Sequence, residues 1–199
     1  MCSNHIGSTM LLQVVESDYQ KKMVKNIITK HHSYVPTHRS VGRRIDWLIY
    51  EDDMFPSKCI GMIGIGSSVY PPPKDLLRYV GMSKSKYQGE FNTFSNNWRY
   101  CMKESIPNAG SQILKLLRRH APIEWKKKYG DDLRYILTFV GGGNNGAVYK
   151  ADNWKMVGKT AGLPEHNMVS MKWDDNDKLK EQFVKPTGEN KKLIFVTKL

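Results

Sequence analysis

The stretch TFVGGGNNGAVYKADNW, Thr138 to Trp154, sets a phenol behind a loop of small residues. Six glycines and asparagines, 141–146, separate an apolar run from a helix-like segment carrying Tyr149. A phenol with a pKa of about 10 suits proton donation better than proton removal. His32, in the polar stretch HHSYVPTHRSVGRR, offers an imidazole with an ordinary pKa of about 6.5, near what a base at neutral pH needs. Ser67 and Ser111 are hydroxyl donors placed for an oxyanion or a phosphate, one in a glycine-rich strand and one at a helix start.

Several familiar constellations are missing. The glycine loop is not a nucleotide-phosphate loop, because Asn145-Gly146-Ala147 stands where Gly-Lys-Ser/Thr would be required. It is not a dinucleotide fingerprint either, which sits early in a βαβ unit with an acid downstream. Gly141 to Gly143 offer backbone N–H groups to an anion at best; a strand-to-helix connection that clears a path to Tyr149 is the simpler reading. His31, His32 and His38 lack zinc-type spacing, so no metal is indicated. Gly66-Ser67-Ser68-Val69-Tyr70 lacks the closing glycine of a nucleophile elbow.

The elements that must position these groups follow from period and punctuation. Residues 10–30 read as a short strand and a helix whose buried face is Val24, Ile27 and Ile28. RIDWLIYED alternates Ile45, Trp47 and Ile49 against Asp46, Leu48 and Tyr50, the pattern of a strand. KCIGMIGIGSSVY is a strand thinned by glycines, which mark close approach of a ligand or another backbone. Three prolines end it, and residues 71–93 read as an exposed excursion with a short helix. FSNNWRYCMKE is a third strand with Asn97 and Arg99 on the cleft side and Trp98 and Tyr100 in the core. A helix starts near Pro107 and Asn108, with Ile113, Leu114 and Leu117 inward. DLRYILTFV is a central strand, WKMVGKTAG a further one, 165–190 a charged irregular stretch, and KKLIFVTKL the last strand. The order is α/β in one domain, 1–199, with a mixed, mostly antiparallel sheet flanked by helices.

Composition sets the setting. The chain has 199 residues, 40% of them hydrophobic, enough for a full core. Lys plus Arg number 31 against 19 acids, a net charge of +12 and a pI near 9.5, which favours a polyanionic partner through counterion release. No run reaches the roughly 18 apolar residues of a membrane span. The N-terminus lacks a secretory pattern, and three unpatterned cysteines read as reduced thiols in a cytoplasm.

The ordered set "PNAGSQIL", "ILTFV" and "VYKADNWKMVG" resembles the GNAT acyltransferase layout. Asn153-Trp154 stands where that family usually has Gly-Phe. More closely, the pieces KHHSYVPTHRSVGRRIDWLI, CIGMIGIGSS, NTFSNNWRYC, IPNAGSQIL, ILTFVGGGNNGAVYKADNWKMVGKTAG and KKLIFVTKL resemble the phage Mom proteins and the related DruA-type domain. That resemblance implies a GNAT-like domain that converts adenine in phage DNA to N6-carbamoylmethyladenine and so evades host restriction. A carbamoylmethyl group has the composition of glycinamide. A glycyl donor such as glycyl-tRNA is therefore expected over acetyl-CoA, whose loop is richer in glycine than 108–112.

The chemistry and placement of the residues suggest roles within that reading. Tyr149 would protonate the leaving oxygen and His32 would act as base. Asn97, Arg99, Asn108, Gly110 and Asn153 would line the substrate and donor sites, and Trp154 or Tyr34 would stack on the flipped adenine. Arg43, Arg44, Lys126 and Lys127 would contact phosphates of double-stranded DNA, with tRNA a further partner. Two other activities fit the resemblance: an acyltransferase on aminoacyl-tRNA or protein, and a non-catalytic DNA-binding subunit of a DruA-type anti-phage system. The oligomeric state stays open, a homodimer included.

Overall fold

The computed structural model describes residues 10–31, 42–51, 58–160, 168–173, 179–184 and 191–199, the fourth and fifth of these by backbone alone. Its elements run β1 (Met10–Val14), α1 (Asp18–His31), β2 (Arg44–Glu51), β3 (Lys58–Ser67), α2 (Lys74–Val80), α3 (Lys84–Gly89), β4 (Phe94–Met102) and α4 (Ala109–Tyr129). Then come β5 (Tyr135–Val140), α5 (Ala147–Ala151), β6 (Lys155–Lys159), β7 (Met168–Trp173), β8 (Leu179–Val184) and β9 (Leu193–Lys198). Seven strands form one sheet in the order β1-β2-β3-β4-β5-β9-β6, antiparallel throughout except for the parallel β4–β5 pair. The mixed, mostly antiparallel sheet expected from the sequence is therefore present.

Alternation sorts the core onto two faces. Ile45, Trp47 and Ile49 join Ile113, Leu114 and Leu117 of α4 on one face, whereas Leu48 joins Val24, Ile27 and Ile28 of α1 on the other. Full burial of each such side chain contributes about 1.5–3 kcal/mol, so a one-residue slip of β2 would forfeit the whole set. Two expectations need correction. Residues 71–93 are not an exposed excursion: they form α2 and α3, and Leu76 and Tyr87 are fully buried with Phe94, Leu137 and Val196. The Tyr87 hydroxyl reaches Ser68 Oγ at 2.6 Å and donates to the Val69 carbonyl at 3.0 Å, which satisfies the buried polar end. Residues 165–190 are not wholly irregular either, since β7 and β8 pair as an antiparallel ladder.

Helix α4 covers the face opposite α1 and also anchors the turn after α5. Arg118 of α4 donates two hydrogen bonds to Asp152, at 2.8 and 2.7 Å, and Trp154 Nε1 donates to the same carboxylate at 2.9 Å. The Asp152 side chain is only 6% exposed, so this pair ties α5 to α4 through a buried charge. Arg118→Ala leaves that charge without its cation. The expected loss is about 3 kcal/mol, read as a lower midpoint in urea with an unchanged slope. A loss below about 0.5 kcal/mol would show the pair behaves as an exposed one.

Candidate functional site

Strands β4 and β5 pair over Phe94↔Tyr135, Ser95↔Ile136 and Asn96↔Leu137, and then part. On its other edge β4 slips register: Ile65 faces Asn97 while Gly64 faces Arg99, so Trp98 is the extra residue of a bulge. A bulge bends its strand and raises local twist, which accounts for β4 swinging away from β5 at this point. The parting opens a cavity of about 380 Å³ bounded by residues 97–102 of β4, 138–140 of β5, residues 144–149 and His31. It reaches both faces of the sheet. Tyr100, Met102 and Val148 pack with the α4 cluster, while Trp98 and Cys101 belong with α1. Side chains from both faces of the sheet therefore line one cavity.

One polar network borders the gap. Asn97 Nδ2 donates to the Gly64 carbonyl at 2.8 Å and to the Arg99 carbonyl at 3.0 Å. Two carbonyl acceptors fix the amide's orientation, so Oδ1 must be the end that meets Tyr149. The Tyr149 hydroxyl accordingly donates to Asn97 Oδ1 at 2.8 Å. Thr138 Oγ1 donates to the Asn97 carbonyl at 3.1 Å, linking β5 to the same residue. Tyr149 is 7% exposed overall, yet it borders the cavity. Its ring is held edge-on by Trp154 at 5.1 Å and stacked on Phe195 at 5.7 Å. Next to it, burial and then the neighbouring Tyr149 push the Tyr100 phenol upward, so Tyr100 stays protonated at any ordinary pH.

On the α1 face a charged stack adjoins the gap. Asp46 accepts from Arg44 Nε at 2.6 Å and from Trp98 Nε1 at 3.1 Å, and the Arg44 guanidinium lies 4.0 Å over the Trp98 ring. Burial pushes the Asp46 carboxyl up, and Arg44 opposes that shift. A Cβ at Gly64 would lie 2.3 Å from Asp46 Oδ1 and 2.5 Å from Trp98 Nε1; this is why that strand position carries glycine. The second guanidinium, Arg99, lies 5.0 Å from the same ring.

The sequence-predicted residues divide. Tyr149, Asn97 and Arg99 come together in the gap, joined by Tyr100 and Thr138. His32 and Tyr34 lie outside the described residues, and the imidazole that borders the gap is His31, the last residue of α1. Gly110 borders a second cavity of about 400 Å³, formed by Tyr100, residues 102–106 and the start of α4. Asn108 caps α4 in the left-handed region, exposed, and the half-buried Ser111 donates to its carbonyl at 3.3 Å. Asn153 is exposed with φ 61° and forms the turn after α5. Lys126 and Lys127 are exposed on α4, beside Asp132 and Glu124.

Four expectations fail on geometry. Ser67 does not border the gap; its hydroxyl accepts from the Arg43 backbone at 2.8 Å and closes the end of β3. Trp154 cannot stack on a base, because it is 4% exposed beneath Tyr149. Arg43 is half-buried, ion-paired with Asp131 and 4.8 Å over Tyr129. Arg44 is likewise taken up by Asp46 and Trp98, so neither arginine is an open phosphate contact. Among the described residues no three His, Cys, Asp or Glu side chains converge, and no helix is long and apolar enough to cross a membrane.

Thr138 had a signal in the sequence, as the one hydroxyl inside the apolar run ILTFV. The Trp98 bulge and the inward turn of Tyr100 had none, since strict alternation placed Trp98 in the core and opened the cleft on Asn97 and Arg99.

Solved structures share this architecture. Arabidopsis thaliana NAA60 in complex with acetyl-CoA superposes with a TM-score of 0.56 at 14% identity, covering 96% of this chain and 99% of that one. Aminoglycoside acetyltransferase AAC(6')-Ib with coenzyme A gives 0.51 at 9% identity over 96% and 95% of the two chains. A mosquito arylalkylamine N-acetyltransferase like 5b gives 0.50 at 11% over 96% and 100%. At these identities the likeness establishes the fold, which is that of the GNAT acetyltransferases. No curated protein matches the sequence. The family model of the Druantia protein DruA matches residues 4–196, nearly the whole chain, and the protein belongs to that family.

Proposed function

We propose that this chain is an acyl-group transferase whose acceptor is the exocyclic amine of adenine in DNA, as in the Mom proteins it resembles. The observation that carries the transferase part is the β4/β5 gap: it opens on both faces of the sheet and holds the Tyr149–Asn97 pair at its wall. An amine reaches the gap from the α1 face past His31, and an activated carbonyl enters from the α4 face past Tyr100.

The donor's chemistry is an activated acyl group on a phosphate-bearing carrier. Gly110 and Ser111 fit its phosphate end. The first turn of α4 has backbone N–H groups without helical partners, and Ser111 adds a hydroxyl. When bound, such a carrier supplies the activated carbonyl. His31 takes a proton from the attacking nitrogen, and Tyr149 gives its proton to the leaving atom once its hydroxyl turns from Asn97. The new C–N bond replaces the carbonyl's bond to that atom, so atoms and charges balance.

Both acyl-CoA and glycyl-tRNA carry phosphates, and the products distinguish them. With a glycyl group on the base, its free amine attacks the ring carbon bearing the original nitrogen. Reopening of the five-membered ring leaves a carbamoylmethyl amine, with no atom gained or lost. The test incubates protein and DNA with fully labelled glycyl-tRNA or with acetyl-CoA, followed by nucleoside mass spectrometry. Deoxyadenosine carrying both carbons and the nitrogen of glycine supports the glycyl form, and N-acetyl deoxyadenosine supports the CoA form. Unmodified deoxyadenosine in both arms, from protein shown to be folded, overturns the reading.

A further inference from the structure

A third cavity, about 330 Å³, lies on the α1 side and shares His31 with the gap. Its walls are Met23, Asn26, Ile27, Lys30 and His31 of α1 together with Lys103, just past the end of β4. No carboxylate lines it, and among the described residues none pairs with Lys30, His31 or Lys103. Lys103 is instead fixed by donating to the Cys59 carbonyl at 2.7 Å, a neutral partner that orients the ammonium without cancelling its charge. The helix continues this character away from the gap. Lys22, Asn26 and Lys30 fall four residues apart and share one stripe, and Tyr19, 73% exposed, precedes them by one turn. From Tyr19 to Lys30 the stripe extends over about 16 Å at 1.5 Å per residue.

We infer that this groove seats the single-stranded, phosphate-bearing backbone flanking the acceptor base and leads that base past His31 into the gap. A row of cations that ends in an exposed aromatic ring suits a single strand: phosphates meet the ammonium groups, and a base at the far end stacks on the phenol. An acidic peptide would use the cations but gain nothing from Tyr19. An exocyclic amine in a paired duplex cannot enter a gap in a sheet, and a strand already single delivers its base without the few kcal/mol that unpairing costs. The inference rests on the transfer reading above for the identity of the acceptor, but its test is a binding measurement that needs no donor.

The experiment measures anisotropy of a labelled oligodeoxynucleotide of about a dozen residues with the full chain, over a salt series. Two phosphate contacts in a single strand contribute about 1.4 to the slope of log K against log salt. Lys30→Gln with Lys103→Gln should remove that much slope and weaken binding roughly tenfold at physiological salt. Lys30→Gln alone, whose ammonium makes no hydrogen bond among the described residues, should remove about half of it. A matched pair on β6, Lys155→Gln with Lys159→Gln, should change neither quantity by as much. Unchanged slope and affinity in the Lys30 variants overturn the groove, as does an equal loss in the β6 pair. Polyglutamate or a duplex binding through the same lysines as tightly as the strand also overturns it. Strand binding with the expected slope loss, in a protein that modifies no base, leaves the groove standing and removes the transfer reading.

Discussion

Tyr149→Phe lowers the transfer rate by about a hundred- to ten-thousandfold, the range lost when a positioned acid is removed. The ring stays where it is, because its contacts with Trp154 and Phe195 do not involve the hydroxyl. What is lost is the hydroxyl proton that Tyr149 directs at Asn97 Oδ1. A structural penalty accompanies it: Asn97 Oδ1 loses its donor in a buried place, at about 1–3 kcal/mol. The two effects separate cleanly. Stability is read by urea unfolding, and transfer is read at saturating acceptor and donor well below the transition, where the variant remains folded. Tyr100→Phe is the control, since Tyr100 shares the cavity and stays protonated through burial, while the hydroxyl held by Asn97 is that of Tyr149. If Tyr100→Phe abolishes transfer while Tyr149→Phe costs less than tenfold, the proton donor is Tyr100 and the assignment fails.

The sequence disclosed some elements and withheld others according to the range of the physics involved. The β2 strand was legible because alternation is local: Trp47 and Leu48 must point apart whatever surrounds them. Helix α4 was legible from Ile113, Leu114 and Leu117 at helical spacing, with Asn108 before it. The gap was not legible in the same way, because it depends on β4 leaving β5 after Asn96, a consequence of pairing between residues some 40 positions apart. Asn97 and Tyr149 could each be named as candidates, but their 2.8 Å hydrogen bond joins positions 52 apart and rests on the bulge at Trp98. The arginines misled for a related reason. A pair such as Arg43-Arg44 reads as an open phosphate clamp until Asp131 arrives from 88 residues away to take Arg43; the partner of Arg44, Asp46, stands two residues on in the same strand and was within reach of a same-face reading. Ser67 was misplaced likewise, since its partner is the backbone of Arg43, 24 residues away.

The glycine loop before Tyr149 gives the second large effect, and it falls on one glycine. Gly146 begins α5 at φ +69°, where a residue with a Cβ incurs about 1–2 kcal/mol. A Cβ there would also lie 2.4 Å from Phe195 Cε2. Phe195 cannot yield: it is fully buried, its strand β9 is paired on both sides, and its ring stacks on Tyr149. Overpacking of that kind costs about 1–3 kcal/mol more. Gly146→Val should therefore destabilise by about 3 kcal/mol or more, and by lifting α5 from Phe195 it should carry the phenol off Asn97. The expected readings are a midpoint lowered by about 6–12 °C and a transfer loss approaching that of Tyr149→Phe. Gly143 provides the contrast. Its φ is +78°, but nothing lies within 4 Å of where its Cβ would be, so Gly143→Ala should bear the conformational cost alone, about 1–2 kcal/mol, with transfer nearly intact. Equal transfer losses in the two variants would mean that the whole loop touches a reactant, as a phosphate cradle would. A loss confined to Gly146 means that the glycine at the helix start exists to let Phe195 support the phenol, and that the rest of the loop only makes the turn.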